Sequence, residues 1–168
     1  MPGKHWARVA AVALLLGAGG PLYQSAFAAN PWGANYFPNV PLTTQDGTAV
    51  RFYDDLLKGK AVAINLIYTS CKDECPLETA RLVQVQRLLG DRVGKDIFFY
   101  SLSIDPKRDT PEVLKAYAEK FGVGPGWLFL TGRGDDIKLI AKKLGLSRSN
   151  DAANRDGHMA LLMLGNEP

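Results

Sequence analysis

The chain has 168 residues, which is the size of a single domain. Its 20 basic and 17 acidic side chains leave a net charge of +3; when Lys4 and Arg8 in the leader described below are set aside, 18 basic side chains face 17 acidic ones, a net charge of +1. A balance this close to neutral lacks the clustered basic face of a nucleic-acid-binding protein, so we expect no nucleic acid among the partners.

The first 28 residues have the pattern of a secretory signal peptide. Lys4 and Arg8 form a positive amino-terminal region, residues 9–20 are an uncharged and mostly apolar run, and residues 26–28 are the small-residue motif Ala-Phe-Ala. The run is shorter than the about 20 residues that cross a membrane. We therefore predict cleavage after this motif and export to the periplasm, where disulfides persist. An uncleaved membrane anchor through residues 9–29 is the alternative.

After the leader, residues 29–39 contain prolines and aromatics without a period, and we predict an irregular lead-in. The domain then covers residues 40–168. It opens with a predicted β-hairpin whose strands, 40–44 and 49–52, flank a turn at Gln45-Asp46-Gly47.

Two apolar runs rich in β-forming residues, 61–68 and 97–104, are typical of strands buried on both faces of a sheet. The spacing of apolar residues between them predicts a helix over 77–89. The remaining predicted elements are a helix beginning at Thr110-Pro111, a strand over 127–131, a helix with apolar side chains at 137, 140, 141 and 144, and a strand over 159–164. This alternation predicts an α/β sheet with helices on its faces. The turn-like ending at 165–168 leaves open whether a terminal helix is missing.

The only two cysteines, Cys71 and Cys75, lie between the predicted strand 61–68 and the helix that follows. Three roles are open at this corner: a structural disulfide, a thiol redox pair and a metal site. A disulfide across so short a loop removes little chain entropy, which disfavours the first role. The amino end of the helix and the neighbouring Lys72 favour thiolate over thiol, so we predict lowered thiol pKa values.

One histidine, His158, lies outside the leader, just before the predicted last strand. A lone histidine in a loop is ordinarily an exposed side chain with no special role. If the last strand runs antiparallel to the strand over 61–68, however, His158 approaches the cysteine corner. Two thiols and one imidazole are a donor set that suits copper or zinc. A structural zinc site takes four protein ligands, and outside the leader the sequence has no further Cys or His to supply the fourth. A catalytic zinc with an open position stays an alternative, and the spacing alone does not decide the metal.

Three stretches of the sequence carry a family resemblance: CKDECP (71–76), SIDPKRDTPEVLKAYAEKF (103–121) and GWLFLTG (126–132). Together they resemble the Sco family, also called SenC, of thioredoxin-like copper chaperones for cytochrome c oxidase assembly. The first stretch is similar to the family's Cys-x-x-x-Cys-Pro, which differs from the Cys-x-x-Cys of ordinary thioredoxins. The resemblance extends over roughly residues 36–165.

The resemblance implies a thioredoxin-like α/β fold, in which a central mixed sheet is flanked by helices and preceded by the β-hairpin. It also implies that Cys71 and Cys75 are a redox-active pair and, with His158, the ligands of copper as Cu(I) or Cu(II). The implied function is an exported copper chaperone, more a metallochaperone than an enzyme, which delivers copper to the binuclear copper site of cytochrome c oxidase subunit II. The implied partner is that subunit or a similar copper-site client. The alternative is a thiol–disulfide reductase that keeps the cysteines of that site reduced without carrying metal, and a thiol peroxidase is a third reading that the fold allows.

Overall fold

The computed structural model describes residues 33–72, 74–146 and 161–167. The leader, most of the connection before the last strand and His158 lie outside these residues. The elements in chain order are β1 (Pro41–Thr44), β2 (Ala49–Arg51), a π-helical segment (Phe52–Leu57), β3 (Lys60–Ile67), α1 (Glu74–Leu89), a 3₁₀ turn (Gly90–Arg92), β4 (Ile97–Ser103), α2 (Pro111–Phe121), β5 (Trp127–Gly132), α3 (Gly134–Lys143) and β6 (Leu162–Glu167).

The strands of the described residues form one mixed sheet in the order β2-β1-β5-β4-β3-β6. Its centre is parallel, since β4 pairs in parallel with both β3 and β5. The amino-terminal hairpin joins antiparallel to β5 through β1, and β6 joins antiparallel to β3. The predicted α/β architecture, with a mixed central sheet and an amino-terminal hairpin, is confirmed.

Strand β3 shows why its sequence is a nearly continuous apolar run. Val62 and Ile64 point into a core shared with α3 and the π-helical segment. Ala63 and Ile67 point to the opposite face and pack in a second core with α1 and α2. Both faces of the strand are therefore covered, which explains why apolar residues occupy both sets of alternate positions.

The helix α2 begins as its sequence predicts. Thr110 is the N-cap, with its side-chain oxygen accepting from the Val113 N–H at 3.4 Å, and Pro111 occupies the first helical position. Leu114 and Tyr117 form part of the buried stripe of this helix against the sheet. The start of α2 is therefore fixed by its own first residues, Thr110 and Pro111.

The carboxyl end of the chain differs from the prediction. Strand β6 continues through Gly165 and Asn166 to Glu167, where a turn was expected. The reason is tertiary pairing: Glu167 is opposite Lys60 and Gly165 is opposite Val62, so the start of β3 provides a partner for residues whose local preference is for turns. None of the helices in the described part of the chain has both the length and the apolarity that crossing a membrane requires.

Candidate functional site

The two cysteines lie where the sequence places them, at the corner between β3 and α1. Cys71 is half-buried in the connecting loop, and Cys75 is the second residue of α1 and only 1% exposed. The Cys71 N–H donates to the Tyr68 carbonyl at 3.1 Å, which makes the loop a tight turn. The Cys75 N–H donates to Cys71 Sγ at 3.3 Å. Both side chains are thiols in this structure, with no disulfide between them.

The two thiols have different electrostatic environments. Burial raises the pKa of Cys75 well above its ordinary value, and the hydrogen bond with the Cys71 side chain raises this pKa further. The prediction of a lowered pKa is therefore wrong for Cys75, because desolvation of a thiolate at 1% exposure outweighs the benefit of the helix amino end. Cys71 receives the helix N–H and is the thiol that reaches solvent, so it is the member of the pair that an external reagent meets first.

A buried carboxylate supports the loop that leads to Cys71. Asp109 is 1% exposed. Its Oδ1 accepts from the Thr69 hydroxyl at 2.5 Å, and its Oδ2 accepts from the Thr69 N–H at 3.2 Å and from the Ser103 hydroxyl at 2.5 Å. Asp109 thus links the loop after β3, the end of β4 and the start of α2. Sequence reasoning missed it, because an acidic residue before a helix N-cap is ordinarily an exposed loop residue and only its burial sets it apart.

A second contact links α2 to the first turns of α1. The hydroxyl groups of Tyr117 and Thr79 lie 3.1 Å apart, and both residues are buried. Burial is the main reason why the pKa of Tyr117 is raised to about 12, and negative charge on Cys75 and Cys71 adds to this rise. The sequence predicted Tyr117 only as a core side chain of its helix.

The third predicted site residue, His158, lies outside the described residues. The strand relation on which its placement depended is confirmed: β6 runs antiparallel to β3, and Leu162 is opposite Asn65, two residues before β3 ends. The chain consequently enters β6 at the cysteine end of β3. In the described part of the chain, no group of three or more His, Cys, Asp or Glu side chains is arranged to hold a metal ion. The three-ligand site stays a prediction.

Residues 33–164 match the model of the family described as SCO1/SenC. The chain belongs to the SCO1/SenC family. A SCO2-like protein from Rickettsia prowazekii is 35% identical over 103 residues, which are 61% of this chain and 49% of that protein. The chain spans about half or less of the length of the curated relatives it matches.

Two solved structures show how the SCO1/SenC fold compares. Bradyrhizobium japonicum ScoI with copper bound has a TM-score of 0.61 and 31% identity, over 76% of this chain and 82% of that one. BsSco, described as a Sco-family cytochrome c oxidase assembly protein with a disulfide switch, has a TM-score of 0.60 and 27% identity, over 77% of each chain. The predicted thioredoxin-like fold is confirmed by these likenesses together with the sheet described above.

Proposed function

We propose that this protein is an exported copper chaperone that delivers copper to the binuclear copper site of cytochrome c oxidase subunit II. The observation that carries the proposal is the pair Cys71 and Cys75 at the amino end of α1, in a member of a family with copper-bound structures. Copper is the cargo in this proposal, with Cys71, Cys75 and His158 as its ligands. The redox-active pair and the metal-binding pair are the same two residues.

The two proposed ligands that the structure describes, Cys71 and Cys75, are chemically suited to copper. Thiolates are soft ligands that suit Cu(I), and an imidazole extends the set toward Cu(II). Cys75 is protonated when metal-free, because burial raises its pKa, so copper has to displace a proton there. We therefore expect copper affinity to rise with pH, as it does wherever a ligand must be deprotonated. His158 is proposed as the third ligand because the chain enters β6 at the cysteine end of β3.

The second candidate function is reduction of a disulfide in the same client without carriage of metal. The unequal exposure of the two thiols favours it: Cys71 is accessible for attack and Cys75 is buried behind it. In this exchange the Cys71 thiolate attacks the client disulfide and forms a mixed disulfide. Cys75 then attacks Cys71, so the client leaves as a dithiol and the pair becomes a disulfide, with two electrons passed to the client.

The proposed location is the periplasm, with residues 1–28 removed and the thioredoxin-like domain over 40–168. The leader pattern of positive residues, apolar run and Ala-Phe-Ala motif supports it. Mass spectrometry of protein recovered from the exported fraction is expected to find a chain that begins at Ala29. A chain that keeps Lys4 and Arg8 and sediments with membranes would establish an anchor instead.

The two functions are separated by ligand substitution. Cys71→Ser and Cys75→Ser are each expected to abolish tight copper binding and complete turnover of a client disulfide. His158→Ala is expected to weaken copper binding by on the order of tenfold or more and to leave disulfide exchange unchanged. Lys95→Ala serves as the control, because this exposed residue precedes β4, beside the start of β3 and away from the cysteine corner.

The assay is copper titration and client-disulfide reduction on the wild type and the four variants, with thiol counts before and after. If His158→Ala binds copper as tightly as the wild type does, the three-ligand site is wrong and the reductase function becomes the better account. If all variants keep wild-type copper affinity, the copper proposal as a whole fails.

A further inference from the structure

Asp109 is a buried acid whose carboxylate accepts hydrogen bonds from two neighbouring segments of the chain. No basic side chain of the described residues forms an ion pair with it. Three donor groups bond its oxygens instead: the N–H and hydroxyl of Thr69 and the hydroxyl of Ser103. Burial of a carboxylate is costly unless its oxygens are bonded in this way. The arrangement is therefore a specific link between two chain segments rather than an incidental surface contact.

The two segments linked by Asp109 differ in how firmly they are otherwise held. Ser103 is the last residue of β4, and it lies opposite Ile67 in the parallel ladder at the centre of the sheet. Thr69 lies in the loop beyond the end of β3, two residues before Cys71. Asp109 thus anchors a loop residue to the rigid part of the sheet, and both the N–H and the hydroxyl of Thr69 take part.

We propose that Asp109 is a positioning residue for Cys71. By holding Thr69, it keeps Cys71 Sγ on the Cys75 N–H and so favours the dithiol form of the pair over the disulfide. The proposal rests on the proposed function only in treating Cys71 and Cys75 as the working pair, and it applies equally to copper carriage and to disulfide exchange.

The direction of the shift depends on which form of the pair, dithiol or disulfide, is stabilised more by the anchored loop. In the dithiol form, no covalent bond joins the two sulfurs, and the Cys75 N–H donates to Cys71 Sγ at 3.3 Å. In the disulfide form, a covalent bond fixes both sulfurs whether or not the loop is anchored. Loss of the Thr69–Asp109 contacts therefore destabilises the dithiol more than the disulfide. A net loss equivalent to one hydrogen bond changes the oxidation equilibrium about three- to tenfold, and tenfold corresponds to about 30 mV for a two-electron couple.

The test is a redox titration of metal-free protein in glutathione buffers. Each pair that oxidises loses two electrons and two protons, and one glutathione disulfide becomes two glutathione molecules. The fraction oxidised is read by mass spectrometry after alkylation of the remaining thiols. Three variants are compared with the wild type. Asp109→Asn replaces one acceptor oxygen of the carboxylate with an amide donor. Thr69→Val removes the hydroxyl on the loop side, and Ser103→Ala removes the hydroxyl on the sheet side.

Asp109→Asn and Thr69→Val are expected to shift the equilibrium three- to tenfold toward the disulfide. Ser103→Ala is expected to shift it less than twofold, because Thr69 keeps both of its contacts and Asp109 is still held by its own N–H, which donates to the Asp105 carbonyl at 3.0 Å. Gln86→Ala controls for lost stability: the Gln86 side chain bonds Gly124 N–H and Pro125 O at 2.9 and 3.0 Å, toward the far end of α1, so its loss should lower the melting temperature without moving the equilibrium.

The proposal is overturned if either Asp109→Asn or Thr69→Val stays within twofold of the wild type, or if Gln86→Ala shifts the equilibrium as much as they do. Should Asp109→Asn fail to fold, the comparison of Thr69→Val with Ser103→Ala decides alone. The titration contains no copper. If a separate copper titration shows that the protein binds none, the proposed function is refuted, but the redox titration still decides whether Asp109 positions Cys71.

Discussion

Two glycines in neighbouring loops lie closer together than any residue with a side chain allows, and this makes a sharp test of the fold. Gly126 precedes β5 with φ +82°, in the left-handed region, and Gly94 precedes β4. A Cβ at Gly126 would lie 2.4 Å from the backbone nitrogen of Gly94 and 2.6 Å from the carbonyl carbon of Val93. Both neighbours are backbone atoms, so no side chain can rotate away to make room.

The expected cost of Gly126→Ala has two parts. The left-handed conformation costs alanine about 1–2 kcal/mol, and displacing the opposing backbone costs about 1–3 kcal/mol more, as overpacking usually does. Gly59→Ala is the matched control, because Gly59 also has a positive φ (+71°) but a Cβ there meets nothing within 4 Å. It carries only the conformational part, and the gain from a stiffer unfolded chain is common to both variants.

The assay is urea unfolding followed by circular dichroism. Gly126→Ala should be less stable than Gly59→Ala by about 1–3 kcal/mol, which for an m-value of about 2 kcal/mol/M separates the midpoints by about 0.5–1.5 M. If the two variants unfold at the same urea concentration, the loops before β4 and β5 do not approach as described and the reasoning fails.

Three further predictions concern the core and the cysteine corner. Leu114→Ala, at a fully buried position, should lower the free energy of unfolding by about 2–5 kcal/mol. Leu77→Ala, at a position that is 53% exposed, should change it by less than about 0.5 kcal/mol. Equal losses in urea unfolding would contradict the packing of α2. Tyr117→Phe should lower the free energy of unfolding by about 1–3 kcal/mol, because it leaves the buried Thr79 hydroxyl unpaired. Adding Thr79→Val should restore part of this loss. Additive losses in the double-mutant cycle would show that the two hydroxyls do not interact. Because the pKa of Cys75 is raised, its thiolate fraction at a given pH is smaller than that of an ordinary cysteine. Iodoacetamide should therefore modify Cys75 in the metal-free protein far more slowly than in an unfolded control at pH 8. Equal rates by mass spectrometry would refute the raised pKa of Cys75.

The elements that could be predicted from the sequence are those with a local signal. The apolar runs that became β3 and β4 are buried on both faces, and their composition alone indicates this. Thr110 and Pro111 mark the start of α2 because capping depends on the first few residues of a helix. The corner that holds Cys71 and Cys75 was predictable for the same reason, since it is simply the join between a strand and the next helix.

The misses have causes that lie far away in the chain. Gly165 and Asn166 favour turns locally but pair with the start of β3, about a hundred residues earlier. The raised pKa of Cys75 depends on how completely the packed fold covers it, and the burial of Asp109 depends on Thr69 in a loop 40 residues earlier. His158, which lies outside the described residues, stays a prediction from the sequence and the family resemblance.

The strand order of the sheet also has a consequence for how the chain folds during its synthesis. The centre, β3 to β5, is assembled from neighbouring segments, whereas both flanks close late: Leu42 pairs with Gly132 across 90 residues of sequence, and Lys60 pairs with Glu167 across 107. Contacts between such distant segments form slowly because a long loop must first be closed. Until β6 has been made, β3 has no partner on its outer side among the described strands. A growing chain therefore presents a strand whose last six residues become buried at an open edge, where strands of different chains pair most readily.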